Sequence, residues 1–317
     1  MKTKNKNSLL TRALAVVLSA LMMVIGLALI SPDQAVAQTT SCRGAKGQVS
    51  AISDFGFDET YARLATALNA NPNINVVAEI DHAASAAAVG LELDPNRVIV
   101  FGNPALGTPL MAINQEAGID LPQKIQVYTE GDAVCVGFNG TTYLQARHGL
   151  FGAPTLDTIA GALMNFTYGA SDSDQEPRRI LNQWVRNNDR VITQPSNADF
   201  ETTWTRLTDA IVASPATIAF TVDHGANSGG VLNPTRLVVF GNPNLGTPIM
   251  QARASAGIDL PLKLLVWEDD DGNVFVTAND PDLLRRRHRM GSSADTLIPV
   301  AGATANFLAV ATGGGLS

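Results

Sequence analysis

Phe101–Pro122 reads FGNPALGTPLMAINQEAGIDLP, and Phe240–Pro261 reads FGNPNLGTPIMQARASAGIDLP; 15 of these 22 positions are identical, without a gap. A match of that length inside one chain marks a duplication, and the period sets the domain plan before any element is read. Working outward, Asp81-His82 corresponds to Asp223-His224 across a loop three residues shorter in the second half. Val127–Val136 corresponds to Val266–Val276 with one extra residue, His148 to His288, and Asn165-Phe166 to Asn306-Phe307. One repeat therefore covers about residues 47–168 and the other about 190–310. The stretch between them, Gly169–Asp189, is polar and charged and reads as a linker, with one helical turn around Ile180–Val185. The expected domains are 38–168 and 190–317, joined by 169–189.

Within a copy, Tyr61, Leu64, Ala65 and Leu68 recur at helical spacing. Asn75–Ile80 is β-like, and RVIVF (Arg97–Phe101) and RLVVF (Arg236–Phe240) are short apolar strands closed by Gly-Asn-Pro. Leu106, Leu110, Ile113 and Ala117 form a helical face behind that turn. Ile125–Tyr128 and Val134–Phe138 pair as a hairpin, and a last helix spans about Thr155–Phe166. In the second copy the hairpin tip, Asp269–Asn273, contains an Asp-Gly that favours a tight turn. The order is close to βαββαββα, which predicts an α+β fold: a two-layer sandwich with a mixed sheet, duplicated into a pseudo-dimer.

The first forty residues differ from the rest. Lys2, Lys4, Lys6 and Arg12 precede an uncharged apolar run, Ala13–Ile30, and Ala35-Val36-Ala37 follows it. Basic region, apolar region and small-x-small site in that order predict a secretory signal peptide, residues 1–37, and a mature chain starting at Gln38. The competing reading is a membrane anchor, since a run of ~18 residues is at the lower limit for spanning a bilayer, and the Ala-Val-Ala site favours cleavage. The expected location is exported, periplasmic or extracellular. The chain has 22 basic and 29 acidic residues; without the leader it has 18 and 28, a net charge near −10. Phosphate backbones and anionic membranes select the opposite sign, so neither nucleic acid nor, after cleavage, a membrane is expected as a partner. Cys42 and Cys135 are the two cysteines, a disulfide candidate in an oxidising compartment. The alternative is a pair of unlinked buried thiols.

The run FGNPxLGTPxMxxxxxAGIDLP, the upstream Asp-His and the hairpin VWEDDDGNVFV (Val266–Val276) ending near Arg-His resemble the domain-of-unknown-function 302 family, in both halves. The resemblance implies a small α+β domain able to dimerise, and no established activity, substrate or cofactor. The second copy is nearer the family pattern; the first departs from it at Val127–Glu130.

Several residue sets invite a functional reading. The Gly102-Asn103-Pro104…Gly107-Thr108-Pro109 segment, repeated at Gly241, Asn242, Thr247 and Pro248, opens a helix whose backbone N–H groups suit an anion. Equally, Thr108 fits an N-cap with Pro109 at the first helical position, which needs no ligand. All four mature histidines, His82, His148, His224 and His288, fall at matched positions, and Asp81 and Asp223 adjoin two of them. His, His and carboxylate suit a transition metal or acid–base work. The bland alternative is an Asp-His pair ending a strand, with His148 and His288 on the surface at a helix end. Asp120 and Asp259 read as loop-fixing or catalytic; Arg285–Arg287 and Arg289 read as a phosphate grip or a solvated helix end. Cys135 aligns with Phe275, so no thiol mechanism is common to both copies, and no Gly-x-Ser-x-Gly, Walker, His-Glu-x-x-His or Cys-x-x-Cys motif occurs.

The first reading is a non-catalytic small-ligand-binding or interaction module; the second is a metal-binding protein or enzyme using the Asp-His pairs. Neither catalytic residue nor cofactor is assigned. If a ligand site exists, it is expected to collect Asp223, His224, Asn242, Thr247 and His288 in one cleft of the second copy. A weaker equivalent, Asp81, His82, Asn103, Thr108 and His148, is expected in the first.

Overall fold

In the first copy the chain runs β1 (Gln48–Ile52), α1 (Phe57–Asn69), β2 (Asn75–Asp81), α2 (His82–Ala87), β3 (Asn96–Gly102) and α3 (Pro104–Ile113). A 3-10 turn (Gln115–Asp120), β4 (Gln123–Glu130), β5 (Ala133–Asn139), α4 (Thr141–His148) and α5 (Leu156–Ser171) complete it. A short β6 (Arg178–Arg179) adds to β1. The second copy repeats the plan: β7 (Val191–Pro195), α6 (Phe200–Val212), β8 (Thr217–Asp223), α7 (His224–Asn227), β9 (Thr235–Gly241) and α8 (Pro243–Ala252). A 3-10 turn (Ala254–Asp259), β10 (Leu262–Glu268), β11 (Val274–Asn279), α9 (Asp282–Arg287), a third 3-10 segment (Gly291–Leu297) and α10 (Ile298–Thr312) follow. This computed structural model describes residues 42–172, 178–179 and 191–314. The expected leader and the expected helical turn at Ile180–Val185 lie outside them.

The sheets have the same topology, β2-β3-β4-β5-β1-β6 and β8-β9-β10-β11-β7. All pairings among the described strands are antiparallel, which corrects the expected mixed sheet. The physical reason is the path of α1. It carries the chain from β1, beyond β5, to β2 at the opposite edge, so β1 and β2, which run in the same direction, are not neighbours. A register shift interrupts β2 at Val76/Ala78 and β8 at Ile218/Phe220, the same bulge in both copies.

One face of each sheet is covered by its own helices. Leu64 and Leu68 of α1 and Leu163 of α5 pack on Ile99, Phe101, Ile125 and Val127. Leu207 and Ile211 of α6 and Phe307 of α10 pack on Val238, Phe240, Leu264 and Val266. The other faces meet each other. Val100 and Lys124 of the first sheet and Leu237, Val239 and Lys263 of the second line one narrow gap. Val98–Phe101 are therefore all at most 3% exposed, and a strand buried on both faces reads as the continuous apolar run RVIVF rather than an alternation.

The 3-10 turns lock the halves. Ile119 of the first copy packs among Val222, Leu237, Val239 and Leu265 of the second. Asn96 Nδ2 and Gln126 Nε2 of the first copy donate to Ala254 O of the second, at 2.9 and 2.8 Å. Glycine is required at this approach: a Cβ on Gly257 would stand 2.6 Å from both Asn96 Oδ1 and Gln126 Nε2. The Ala-Gly-Ile-Asp half of the repeated motif is thus the pairing surface of the two copies. That surface is not purely apolar, because charged side chains run through it. Cys42 and Cys135 are joined by a disulfide with Cα atoms 5.7 Å apart.

Candidate functional site: two clefts shared between the copies

The Gly-Asn-Pro turn builds one wall of each cleft. A residue before proline is driven to extended backbone, and Asn103 and Asn242 have φ −132° and −127°. From there each Asn Oδ1 accepts the N–H of the second helical residue, Ala105 at 2.9 Å and Asn244 at 3.0 Å. The asparagines are the N-caps and Pro104 and Pro243 are the first helical residues, the position where a missing N–H costs nothing. This corrects the reading of Thr108 as the cap: Thr108 and Thr247 lie one turn inside the helix. It also removes the anion site. The next N–H groups, of Leu106 and Gly107 and of Leu245 and Gly246, donate to Asn103 O and Asn242 O. Every first-turn donor is thereby engaged. Gly102 and Gly241 let this turn sit on the end of Gly-Ile-Asp-Leu-Pro, since a Cβ there would approach Pro122 Cβ to 3.2 Å and Pro261 Cβ to 3.1 Å.

The other wall comes from the opposite copy. The first cleft is lined by Asn103, Thr108 and Met111 of the first copy and by Val222, His224 and Asn227 of the second. The second is lined by Asn242, Thr247 and Met250 of the second copy and by Ile80, His82 and Ser85 of the first. The expected grouping within one copy is therefore replaced by a crossed one. Asn242 and Thr247 meet His82, not His224.

Each crossing histidine makes one fixed contact. His82 Nε2 donates to Gly257 O and His224 Nε2 donates to Gly118 O, both at 3.1 Å. Burial holds both imidazoles neutral, lowered to about 4, with the carbonyl contacts only partly offsetting it. Asp81 and Asp223 do not face the clefts as ligands. Each caps its short helix, accepting from Ala84 N and Ala226 N at 2.8 Å. Each also accepts from an arginine, Arg97 at 2.7 Å and Arg236 at 2.8 Å.

His148 and His288 belong elsewhere. They are fully buried, not at the surface, and their Nε2 atoms lie 2.8 and 2.7 Å from Asp120 Oδ2 and Asp259 Oδ2. Arg147 reaches Asp120 at 2.6 Å and Arg287 reaches Asp259 at 2.6 Å. Arg287 is thus a buried partner and not part of a solvated helix end, whereas Arg285 and Arg286 are partly exposed and pair with Asp282. The clusters interlock: Arg147 donates to Asn279 and Arg287 to Asn139, each in the opposite copy. Two lysines absent from the sequence reading complete them. Lys263 reaches Asp120 Oδ1 at 3.1 Å, while Lys124 donates to Ile258 O at 2.5 Å. Burial opposes ionisation of Asp120, but Arg147 and Lys263 hold its carboxyl well below the usual range; Arg287 and His288 do the same for Asp259. Burial, aided by Lys263, drives the Lys124 ammonium well below its usual value. The signal for these clusters was present, since Asp, Lys and Arg-His recur at matched positions in both copies.

The two clefts differ in size, about 470 Å³ for the second against about 100 Å³ for the first. Thr247 is 1% exposed and its hydroxyl has no hydrogen-bond partner among the described residues. In chemical terms, each cleft is an apolar hollow with a few fixed polar groups, the composition of a small-molecule site.

A duplicated α+β sandwich whose copies pair face to face, with a cleft at each end of the pairing, is the class of protein this fold defines. Residues 49–166 and 192–303 both match the family described as Domain of unknown function DUF302, and the chain belongs to that family. An 80-residue stretch is 49% identical to "Fluoride-specific ion channel FluC 1" of Brucella suis biovar 1 (strain 1330), covering 24% of this chain and 32% of that protein. The protein of the same name from Brucella abortus biovar 1 (strain 9-941) matches with the same identity, over 30% of its length. The chain thus spans about a third of the length of these curated relatives. A crystal structure of an uncharacterized conserved protein DUF302 from Bacillus stearothermophilus aligns at 23% identity and TM-score 0.33, over 40% of this chain and 96% of that one.

Proposed function

We propose that this chain is an exported, non-catalytic protein that binds a small molecule in the composite clefts. Its mature part is two domains, 38–168 and 190–317, linked by 169–189. The observation that carries this reading is the convergence of the most retained motifs: the Gly-Asn-Pro helix start of one copy and the Asp-His strand end of the other line the same hollow. Export is supported by the basic, apolar, Ala-Val-Ala order of residues 1–37. The Cys42–Cys135 bridge is a link that persists in oxidising compartments.

Metal binding or catalysis through the Asp-His pairs is the weaker reading on geometric grounds. The Nε2 atoms of His82 and His224 are committed to carbonyls, and Asp81 and Asp223 to arginines and helix caps. Among the described residues no group of three His, Cys, Asp or Glu is placed to hold a metal ion. Fluoride conduction stays with the relatives that bear that name, because the match is partial. No helix among the described residues is long and apolar enough to cross a membrane.

Native mass spectrometry and metal analysis of untagged protein from the exported fraction test the proposal. The expected result is a chain starting at Gln38 with one small organic molecule and no stoichiometric metal. One metal ion per cleft, lost on His82→Ala and His224→Ala, would favour the second reading.

A further inference from the structure

We propose that the second cleft takes a neutral, largely apolar molecule of roughly 10–25 non-hydrogen atoms. This rests on the small-ligand reading above and specifies its chemistry.

Size comes first. The cleft holds about 470 Å³, within the ~300–1,000 Å³ of small-molecule sites and about three times the ~150 Å³ apolar cavity that holds one benzene. Its walls are aliphatic and aromatic, with Ile249, Met250, Leu260 and Val300 around the Phe240–Phe307 pair. Burying an apolar molecule there stabilises the complex by ~25 cal/mol per Å² removed from water.

Charge comes second. Among the described residues no Asp, Glu, Lys or Arg lines this cleft, and His82 is neutral above pH ~5 because its imidazole is lowered to about 4. The first-turn N–H groups of α8 are engaged by Asn242. A carboxylate or ammonium entering here would lose water without gaining a charged partner, a cost of several kcal/mol.

Polarity comes third. The polar side chains on the walls are already committed. His82 donates to Gly257 O, Ser85 to Asp81 O, and Ser214 to Ile211 O, and Asn242 accepts from Asn244 N. The exceptions are the Thr217 hydroxyl and the Asn242 amide N–H groups, which have no partner among the described residues; the Thr247 hydroxyl is also unpartnered but too enclosed to meet a ligand. A ligand alcohol, ketone or ester oxygen meets such neutral groups without the desolvation cost of a charge.

Displacement of Nile red from the full processed chain tests this, with 1-decanol and decanoate as competitors at pH 8. The expected order is decanol tighter than decanoate by at least tenfold. Ala303→Trp should block the cleft, and Thr108→Val in the first cleft should leave decanol binding unchanged. Decanoate binding as well as decanol, or decanol binding indifferent to Ala303→Trp, overturns the proposal while leaving a small-ligand site standing. If neither competitor nor Nile red binds and nothing co-purifies, the ligand-binding function falls with it.

Discussion

The two clefts are built to one plan and differ in how far their side chains fill them. Where the first carries Ile74, Val77 and Ile159, the aligned positions of the second are Ala216, Ala219 and Val300, and the volume rises from about 100 to about 470 Å³. The frame is the same on both sides: N-cap asparagine, crossing histidine, glycine against proline. What changed is the filling of the hollow, not the hollow's construction. The hairpins teach a related lesson. The cross-strand pair Tyr128–Cys135 of the first copy stands where the second has Trp267–Phe275. One is tied by a disulfide to Cys42, the other by ring stacking at 4.7 Å. Either device fixes the end of the sheet, so the partner copy meets a rigid surface.

The comparison can be broken at the interface. Removing one partner of a buried ion pair leaves its cation uncompensated, which costs ~3–5 kcal/mol. Asp120→Ala and Asp259→Ala should each lower stability in urea unfolding by about that much. Asp120→Ala should cost more, because Lys263 as well as Arg147 leans on Asp120, whereas Lys124 points at a carbonyl. Equal losses would mean that the lysines are electrostatically equivalent.

The hairpin devices should separate under reduction. Cys42→Ser with Cys135→Ser opens a link across 93 residues of sequence, worth about 4.6 kcal/mol in the chain-entropy model. The same reducing conditions applied to that double variant should change nothing further. Retention of wild-type stability after reduction would show that the first hairpin needs no staple.

Acid should act on both clefts together. His82 and His224 lie near 4 in the folded chain because of burial, against 6.5 ordinarily. The unfolded chain takes those protons first. Stability is thus intact above about pH 6.5 and falls as pH drops toward 4, by on the order of 2 kcal/mol per histidine at pH 5. Below that window protonation of Asp120 and Asp259, both held low by their cations, extends the loss. Urea midpoints between pH 8 and pH 4.5 measure the slope, to which the buried His148 and His288 also contribute; His82→Asn or His224→Asn should each remove part of it. A flat profile would place both imidazoles in water.

The smallest effect on stability should come from interchange of the fillings. Ala216→Ile with Ala219→Val and Val300→Ile should keep folding free energy within about 1 kcal/mol, since added methyl groups enter existing space. It should abolish Nile red uptake in the second cleft.

Much of the fold was legible because repetition in one chain acts as its own alignment. The strands at Arg97–Phe101 and Arg236–Phe240, the helix at Asp58–Leu68 and the hairpins fall where the pattern puts them. The Asn-cap was legible too: Asn-Pro at a strand end is an N-cap followed by proline at the first helical position, a stronger signal than Thr108-Pro109. The crossing was not legible. His82 and Gly257 are 175 residues apart, and no local propensity says which copy a strand end will face. The surface reading of His148 and His288 failed for a similar reason. Whether a helix-end histidine meets water depends on the second sheet lying across it.

The central claim is that each histidine reaches into the opposite copy. Nuclear Overhauser contacts from the His82 imidazole, in specifically labelled protein near pH 7, test it most directly. The account predicts contacts to the backbone of Ala256 and Gly257, matching those from His224 to Ala117 and Gly118. Contacts from His82 to Gly118, in its own copy, would contradict the crossed pairing and the composite clefts built on it.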